Sequence, residues 1–307
     1  MKGRVIKSTG SWYIVQVDEQ VISARLKGKF KQDELKLTNP IAVGDWVELE
    51  REENQQTAVI SEILPRENYV IRKSTRKQHF SHIIASNLDQ AILVITMKKP
   101  RTSLGFIDRF LVSTESFRIP AILVVNKMDQ LEGEDEKEWL QDIHEIYEPL
   151  GYQVLEVSAL KELGLKEKFL PFIQGKSSLI SGHSGVGKST LLNAIVPEAK
   201  QDTKEISGFS AKGVHTTTFA ELFAFPEGGD LIDTPGIKEF GILDVEDNEL
   251  SHYFPEMRKY LGQCKYNNCT HINEPGCVVL KKLEEGFIHP YRYQSYANIL
   301  HEEDSHR

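Results

Sequence analysis

The octapeptide GHSGVGKS at residues 182–189 admits few local structures. It matches the pattern G-x-x-x-x-G-K-[S/T], follows a short apolar stretch at Ser178–Ser181 and precedes a helical stretch at 190–195. In a strand–loop–helix unit, the glycines let the backbone wrap a phosphate, and amide groups at the helix N-terminus face its negative charge. The octapeptide therefore predicts a phosphate-binding loop within an α/β domain.

This loop pattern assigns chemistry to individual side chains. We expect the Lys188 amine to reach the β- and γ-phosphates of a nucleotide and the Ser189 hydroxyl to bind Mg²⁺. The residues expected to contact the nucleotide in this segment are Gly182, His183, Ser184, Gly185, Val186, Gly187, Lys188, Ser189 and Thr190.

A second motif, Asp-Thr-Pro-Gly at residues 233–236, ends the apolar stretch Leu231–Asp233. A carboxylate at the end of a strand can hold Mg²⁺ through a water molecule, and this role is expected for Asp233. Gly236, which lacks a side chain, is expected to offer its amide to the γ-phosphate.

A third motif predicts which base is bound. The pattern N-K-x-D is met, after the apolar stretch Ala121–Val125, by Asn126, Lys127, Met128 and Asp129. The Asp129 carboxylate can accept hydrogen bonds from N1–H and the N2 amino group of guanine together, whereas adenine offers neither donor. We expect Asn126 to support the loop and the Lys127 stem to pack on the base.

Ser158 and Ala159 follow the stretch Val154–Val157 and match the loop whose backbone contacts guanine O6. The motifs together indicate a guanine nucleotide rather than an adenine nucleotide.

The order of these motifs is cyclically permuted. Ordinary GTPases place the phosphate loop first and the base-reading loops last, but here 126–129 and 158–160 precede 182–189, and 233–236 comes last. Each loop follows its own strand, so a parallel sheet keeps the site intact when the connections change. The segment 161–176 is predicted to be a helical crossover. The chain after 236 runs directly into the C-terminal region, so the nucleotide state can move that region.

Three domains are predicted. Short strands in residues 1–68 favour a closed β-barrel, either OB-like or SH3-like. Alternating strands and helices over 69–240 predict an α/β P-loop GTPase domain with a mostly parallel sheet. Residues 241–307 are predicted to form a helical zinc-binding domain.

Basic residues alternate along the barrel sequence at Arg25, Lys27, Lys29 and Lys31. On a strand they would share one face. That face is either a solvated surface or a stripe that follows the phosphates of RNA, and the sequence leaves both readings open.

All three cysteines of the chain fall within one short segment that also contains a histidine. The four residues are Cys264, Cys269, His271 and Cys277. Three thiolates and one imidazole form a closed tetrahedral zinc set, which predicts a structural rather than a catalytic site. The alternative is that the cysteines are free thiols.

The composition of the chain argues against some classes of protein. The 307 residues carry 37 Lys and Arg against 45 Asp and Glu, a net charge of −8, so the chain is not basic overall, although local patches can still bind nucleic acid. The apolar stretches are far shorter than the roughly 20 residues of a membrane helix. With few, clustered cysteines, a cytoplasmic location and no membrane contact are expected.

These motifs, in this order and with this cysteine spacing, resemble the RsgA (YjeQ) family of circularly permuted, ribosome-small-subunit-dependent GTPases over essentially the whole chain. The resemblance implies slow GTP hydrolysis that the 30S subunit stimulates, and a role in the late assembly of that subunit. It also implies that the barrel and zinc domain bind 16S rRNA, that hydrolysis triggers release, that one Zn²⁺ is structural, that Mg²⁺ accompanies GTP and that the protein is a monomer.

The resemblance also places a switch element at 213–218. A hydroxyl of Thr216–Thr218 is expected to meet Mg²⁺ when GTP is bound, and Thr217 is taken as the ligand. Ile237 stands where many GTPases carry a glutamine that orients water, which predicts slow intrinsic turnover. His215 is a candidate to replace that glutamine, and a group supplied by the bound partner is the alternative.

Two other functions compete with a GTPase switch. The chain would be an RNA-binding assembly factor if GTP were only a structural ligand. It would be a P-loop kinase or metabolic enzyme if GTP modified a small molecule, although no second-substrate motif is visible in the sequence.

Overall fold

The structure is a computed structural model that describes residues 1–27, 40–51, 57–73, 81–196, 220–225, 228–234 and 248–305. Within these ranges the chain forms a small barrel, an α/β sheet with helices on both faces, and a helical C-terminal region.

The N-terminal strands close into a barrel. They are β1 (Lys2–Ser8), β2 (Tyr13–Val17), β3 (Gln20–Leu26), β4 (Trp46–Arg51) and β5 (Ala58–Ile63). Their order is β1-β2-β3-β5-β4, and pairing of β4 with β1 completes the circle. Alternate side chains point inward, so the fully buried core includes Val5, Val15, Ala24, Val47 and Ile60. The predicted closed barrel is confirmed.

The central domain is built on a mostly parallel sheet. Its strands are β8 (Gln90–Ile95), β9 (Ala121–Val125), β10 (Gln153–Glu156), β11 (Ser177–Ser181), β12 (Glu221–Ala224) and β13 (Asp230–Asp233). Their order is β10-β9-β8-β11-β13-β12, and all neighbours are parallel except β12, which runs antiparallel to β13. All six residues of β8 are buried, as expected for a strand covered on both faces.

Helices cover both faces of this sheet. They are α1 (Leu104–Ser116), α2 (Glu134–Tyr147), α3 (Leu170–Ile173) and α4 (Lys188–Ile195). Apolar side chains of α1 and α2 join one buried cluster, and those of α3 and α4 join a second on the opposite face. The side chains of Trp139, Ile143 and Ile146 on α2 are buried at helical spacing.

Two features of this region differ from the sequence-based expectation. The hairpin of β6 (Tyr69–Lys73) and β7 (Ser81–Ser86) lies between the barrel and the sheet and was not predicted. The crossover expected to be helical over 161–176 contains only a π-helical turn, Leu165–Phe169, and the short helix α3. Gly164 at φ +70° precedes this helical stretch and Gly175 at φ +71° follows it, so the helix cannot extend in either direction.

The barrel and the central sheet are joined directly. Strand β1 pairs with β12, where Lys7 lies opposite Glu221 and its amine is 2.9 Å from the Glu221 carboxylate. Buried Asp45 accepts hydrogen bonds from Arg66 Nε at 2.6 Å and from Ser86 Oγ at 2.5 Å. These contacts fix the barrel against the first strands of the central domain.

The C-terminal region packs on α1. It contains a 3₁₀ turn, Leu250–Tyr253, and the helices α5 (Pro255–Arg258), α6 (Val278–Glu284) and α7 (Pro290–Ser305). Its apolar core includes Val112 of α1. Among the helices within the described ranges, none is both long and apolar enough to cross a membrane.

A buried charge network links this region to the central domain. The Arg292 side chain is 1% exposed, with Nη1 2.6 Å from Asp108 Oδ1 of α1 and Nε 2.7 Å from Glu256 Oε1 of α5. Tyr147 of α2 donates to the same Asp108 oxygen at 2.8 Å. Removing one partner of such a network leaves an uncompensated buried charge, so the network ties the four helices α1, α2, α5 and α7 into one arrangement.

Candidate functional site

The predicted nucleotide loops meet at one edge of the sheet. Asn126 follows β9, Ser158 lies just beyond β10, Gly182 follows β11 and Asp233 ends β13. Because these strands are parallel neighbours or lie within the same parallel sheet, their carboxyl ends share an edge. The permuted chain therefore gathers the loops in one place, as the sequence predicted.

Asn126 joins the base-reading loops to the phosphate loop. Its side chain is 2% exposed, and Nδ2 donates to the carbonyl of Val186 at 2.8 Å. Its Oδ1 accepts from the backbone amide of Ala159 at 2.9 Å. One buried amide thus fixes the positions of three loops.

Two glycines allow these loops to approach each other. Gly187 has φ +95°, and an added Cβ would clash with Nδ2 of Asn126. Gly182 has φ +142°, and its Cβ would clash with the carbonyl oxygen of Val94. Both positions exclude a side chain by conformation and by space.

Lys127 and Asp129 occupy the mouth of the site. Lys127 Nζ donates to the carbonyls of Gly185 at 2.6 Å and Lys99 at 2.7 Å, which lays its stem across the loop. Burial lowers the pKa of Lys127, and the charge of Asp129 opposes that change. Ser158 Oγ donates to Asp129 Oδ1 and so orients the carboxylate.

A cavity of about 130 Å³ lies between these groups. Its lining residues are Asn126, Lys127, Asp129, Gln130, Ala159, Leu160, Gly187 and Thr190. A cleft of about 620 Å³ exists elsewhere, but the motif residues line the smaller cavity, which is therefore the candidate base site. Gln130 was not assigned to the site from sequence, and Leu160 was included only as the last residue of the loop at 158–160. The sequence signal for both residues was their position, since Gln130 directly follows Asp129 and Leu160 directly follows Ala159.

Met128 is placed differently from its motif neighbours. It packs against the buried cluster beneath α1 and α2, and its amide donates to the carbonyl of Val157 at 3.1 Å. Met128 therefore anchors the loop to this buried cluster and does not line the cavity.

The phosphate loop surrounds the amine of Lys188. Lys188 Nζ donates to the carbonyls of Gly182 at 2.6 Å and His183 at 2.9 Å. Burial lowers the pKa of Lys188, and the nearby charge of Asp233 opposes the shift. Helix α4 begins at Lys188, so Ser189 and Thr190 lie in its first turn, where backbone amides face an anion.

The remaining loop residues differ in exposure. Ser184 and Gly185 are exposed, Val186 is buried in the core cluster beside α4, and Asp233 is 6% exposed. The imidazole of His183 stacks on Phe106 of α1 with ring centroids 3.7 Å apart. No local pattern predicts this stack, because Phe106 is far from the loop along the chain.

Several predicted site residues lie outside the described residues. They are His215, the threonines Thr216, Thr217 and Thr218, Gly236 and Ile237.

The cysteine segment forms a compact ligand set. The candidate ligand atoms of Cys264, Cys269, His271 and Cys277 all lie within 4.8 Å of one another. Cys264 Sγ is 3.9 Å from Cys277 Sγ, and His271 Nδ1 is 3.4 Å from Cys277 Sγ. A tetrahedral zinc ion with Zn–S bonds of about 2.3 Å requires sulfur atoms roughly 3.8 Å apart, so the set fits one metal ion.

Neighbouring groups hold this set in place. His271 Nε2 lies 3.2 Å from Ser251 Oγ, which leaves Nδ1 facing the sulfur atoms. The amides of Val278 and Leu280 lie 3.4 Å from Cys264 Sγ and 3.5 Å from Cys277 Sγ and donate to them. Ser251 is 20 residues from His271 in sequence, so only the fold brings it to the site.

The chain matches two family models. The RsgA GTPase model covers residues 63–243, and the RsgA N-terminal domain model covers residues 2–60. A curated relative from Cytophaga hutchinsonii, named small ribosomal subunit biogenesis GTPase RsgA, is 52% identical and is aligned over the full length of both chains. A relative of the same name from Bacteroides fragilis is 48% identical over 99% of this chain and 97% of its own.

Solved structures agree with these matches. YjeQ from Thermotoga maritima is 36% identical, with a TM-score of 0.77 and coverage of 98% of this chain and 97% of its own. YloQ, a circularly permuted GTPase, is 32% identical, with a TM-score of 0.76 and coverage of 100% and 96%. With the permuted loops gathered in one site, these matches establish that the chain is a GTP hydrolase and belongs to the RsgA family of circularly permuted GTPases.

Proposed function

We propose that this GTPase acts in the biogenesis of the small ribosomal subunit. It binds the 30S subunit through 16S rRNA, hydrolyses GTP slowly when alone and faster on the subunit, and leaves after hydrolysis. The observation that carries this proposal is the pair of Asn126 hydrogen bonds, which unite the guanine loops and the phosphate loop in one site. The names of the relatives supply the ribosomal partner.

The proposed base contacts follow from the cavity geometry. Asp129, oriented by Ser158, accepts from N1–H and the N2 amino group of guanine, and the backbone of the loop that contains Ser158 and Ala159 contacts O6. Lys127 covers one face of the base with its stem. Adenine offers Asp129 no donor, so the carboxylate would keep only the bond from Ser158 and lose both bonds from the base, which disfavours adenine in the site.

The proposed phosphate and metal contacts use the other loops. Lys188 and the amides of the loop hold the β- and γ-phosphates. The Ser189 hydroxyl, the Asp233 carboxylate through water and Thr217 are the proposed oxygen donors for Mg²⁺, which neutralises phosphate charge when bound. The oxygen chemistry of Ser189 and Asp233, at the same sheet edge, suits this hard cation. Gly236 completes the proposed γ-phosphate contacts.

Zinc is the proposed ion of the cysteine cluster. Three thiolates and one imidazole favour Zn²⁺ over Mg²⁺ or Ca²⁺ and leave no open position for catalysis. The ion would hold the C-terminal region together, since such sites couple metal binding to folding.

Slow intrinsic turnover is proposed because Ile237 cannot orient water. His215 or a group from the 30S subunit supplies that function. The His215→Ala variant separates these sources: it loses stimulated turnover if His215 acts, and keeps the wild-type rate if the subunit acts.

We divide the chain into the barrel (1–68), the GTPase domain (69–240) and the C-terminal zinc-binding region (241–307). RNA contact is proposed for the barrel and the C-terminal region. Arg25 and Lys27 are both exposed, and Lys27 pairs with Glu50 at 2.6 Å, while Lys29 and Lys31 lie outside the described residues. In the C-terminal region, Lys282 lies 4.6 Å from the exposed ring of Phe287. Such interleaved cations and rings suit RNA backbones and unstacked bases.

A cytoplasmic monomer is proposed, as expected for a ribosome-binding factor.

The test is GTP turnover with purified 30S or 50S particles across a salt series. We expect 30S particles alone to accelerate hydrolysis, and the acceleration to fall as salt rises, since phosphate contacts release counterions. Equal stimulation by both particles, or none by either, would overturn the proposal.

A further inference from the structure

A cleft of about 620 Å³ separates the barrel from the central sheet, at the edge opposite the nucleotide site. Its central-domain wall includes Asp89, Ser177 and Asp230, which precede β8 or begin β11 and β13. Its volume lies in the range of small-molecule sites, about 300–1,000 Å³. None of the nucleotide motifs contributes to it.

The barrel wall of the cleft carries an aromatic ring flanked by cations. The Trp46 side chain, at the start of β4, is 37% exposed and lines the cleft. Lys2 Nζ lies 4.8 Å from the ring centroid of Trp46, and Arg4 Cζ lies 5.7 Å from it. These contacts hold the ring at the wall of the cleft, where part of its surface is exposed.

The opposite wall is held by a polar chain. The Arg4 guanidinium pairs with Asp230 and donates to Ser177 Oγ at 2.7 Å, and the Ser177 amide donates to Asp89 Oδ2 at 2.7 Å. Arg4 Nε is buried without a hydrogen-bond partner among the described residues. These bonds fix the wall before any ligand arrives, which lowers the cost of binding.

The cleft is lined by equal numbers of cationic and acidic side chains. Its lining includes the cations Lys2, Arg4 and Lys176 and the acids Glu67, Asp89 and Asp230. Arg4 is committed to Asp230 and Lys176 to Gln90, whereas Lys2 makes no ion pair with a described residue. The cleft therefore favours a ligand with an aromatic ring, hydrogen-bond donors on its edge and one negative charge, rather than a polyanion.

We propose that this cleft binds one unstacked nucleotide of a single-stranded RNA segment. The base stacks on Trp46, its edge donors meet Asp89, and the adjoining phosphate meets Lys2. This inference rests on the proposed function, since the RNA strand is taken to belong to the small subunit.

The test uses the full-length protein with saturating GDP, so that the guanine site is occupied. Binding of a fluorescein-labelled oligoadenylate is measured by anisotropy. Trp46→Ala is expected to weaken binding roughly five- to hundredfold, the range for loss of one base–aromatic stack, and Trp46→Phe to retain most of it. Lys2→Ala is expected to reduce the slope of log K against log salt by about 0.7, as for one phosphate of a single strand.

Val21→Ala is the matched control, because Val21 is an apolar barrel residue, 60% exposed, that does not line the cleft. We expect it to bind the oligoadenylate as wild type does. An oligomer of the same length with abasic sites is expected to bind Trp46→Ala and wild type equally. If Trp46→Ala binds the oligoadenylate like wild type, or if wild type binds the abasic oligomer as tightly, the proposal is overturned.

This outcome is separable from that of the ribosome assay. Loss of oligoadenylate binding in Trp46→Ala supports the cleft even if 30S particles do not stimulate turnover. Stimulated turnover with unchanged oligoadenylate binding in Trp46→Ala would keep the proposed function and reject the cleft.

Discussion

Asn126 Nδ2 donates a hydrogen bond of 2.8 Å to the carbonyl of Val186, 60 residues further along the chain. This bond connects the loop expected to read the base with the loop expected to hold the phosphates. Its partner bond to the Ala159 amide adds the third loop. In this permuted chain the relative position of base and phosphates therefore depends on one buried side chain.

Replacing Asn126 by Ala removes both bonds. The Val186 carbonyl and the Ala159 amide would lose their partners, at about 1–3 kcal/mol for each buried group. We expect GDP affinity, measured by calorimetry, to fall roughly ten- to a hundredfold. Leu160→Ala is the control, because Leu160 lines the same cavity but is 69% exposed, and it should bind GDP nearly as wild type does. Equal affinities of the two variants would contradict the role given to Asn126.

Gly187→Ala tests the close approach of the same loops. Gly151 offers a matched control, because it has φ +94° against +95° for Gly187, and an added Cβ there would meet nothing within 4 Å. Gly151→Ala should cost about 1 kcal/mol of unfolding free energy through its positive φ and leave GDP binding unchanged. Gly187→Ala should cost more unfolding free energy than Gly151→Ala, because its Cβ would also clash with Asn126, and should lose at least about tenfold in GDP affinity. Matching GDP affinities would show that the approach to Asn126 is unimportant.

Local sequence signals predicted the loops of the site well. Each motif combines a strand end with a loop of fixed length, so Asn126, Ser158, Gly182 and Asp233 could be assigned to one sheet edge before any coordinates. The barrel strands were also predictable, because β-branched residues alternate with polar ones between clear turns.

Long-range packing was not predictable in the same way. The Arg292–Asp108 pair joins residues 184 positions apart, and a buried charge leaves no local pattern. The Phe106–His183 stack and the pairing of β1 with β12 likewise join segments that are far apart in the sequence. The 161–176 crossover was predicted to be more helical than it is, because Gly164 and Gly175 adopt positive φ and confine the helical residues between them.

Ser251 is expected to strengthen metal binding by fixing the His271 ring. Ser251→Ala should weaken zinc affinity about ten- to a hundredfold, the usual effect of losing the hydrogen bond behind a ligand. Competition with a chromophoric chelator measures the affinity, and elemental analysis of the wild type should give one zinc per chain. Tyr266→Phe is a control in the same segment, since Tyr266 is 43% exposed. Unchanged affinity in Ser251→Ala would remove this residue from the site.

The raised pKa of Tyr147 makes the unfolding free energy of the protein depend on pH above pH 10. Burial, and then the charge of Asp108, raise the pKa of Tyr147 well above its usual value of 10.0. The unfolded chain releases this proton near pH 10 while the folded chain keeps it, so stability is fully present below pH 10 and falls as pH rises further.

Tyr147→Phe should remove this loss. Urea unfolding between pH 10 and 11 should show a slope shallower by about 1 kcal/mol per pH unit than wild type, because the unfolded tyrosine is only half ionised at pH 10. At pH 7 the variant should lose about 1 kcal/mol, because the bond to Asp108 is gone. Identical slopes for variant and wild type would contradict the assignment.

The most direct measurement is calorimetric titration of the full-length protein with GDP, ADP and xanthosine diphosphate. Asp129 is expected to favour GDP over ADP by at least about a hundredfold, because adenine offers the carboxylate neither of the two donors that guanine supplies. Asp129→Asn should lose that preference and bind xanthosine diphosphate better than GDP, since the amide can donate to the 2-oxo group of xanthine. If wild type bound ADP as tightly as GDP, one site formed by the loops at 126–129 and 182–189 would not be reading the base.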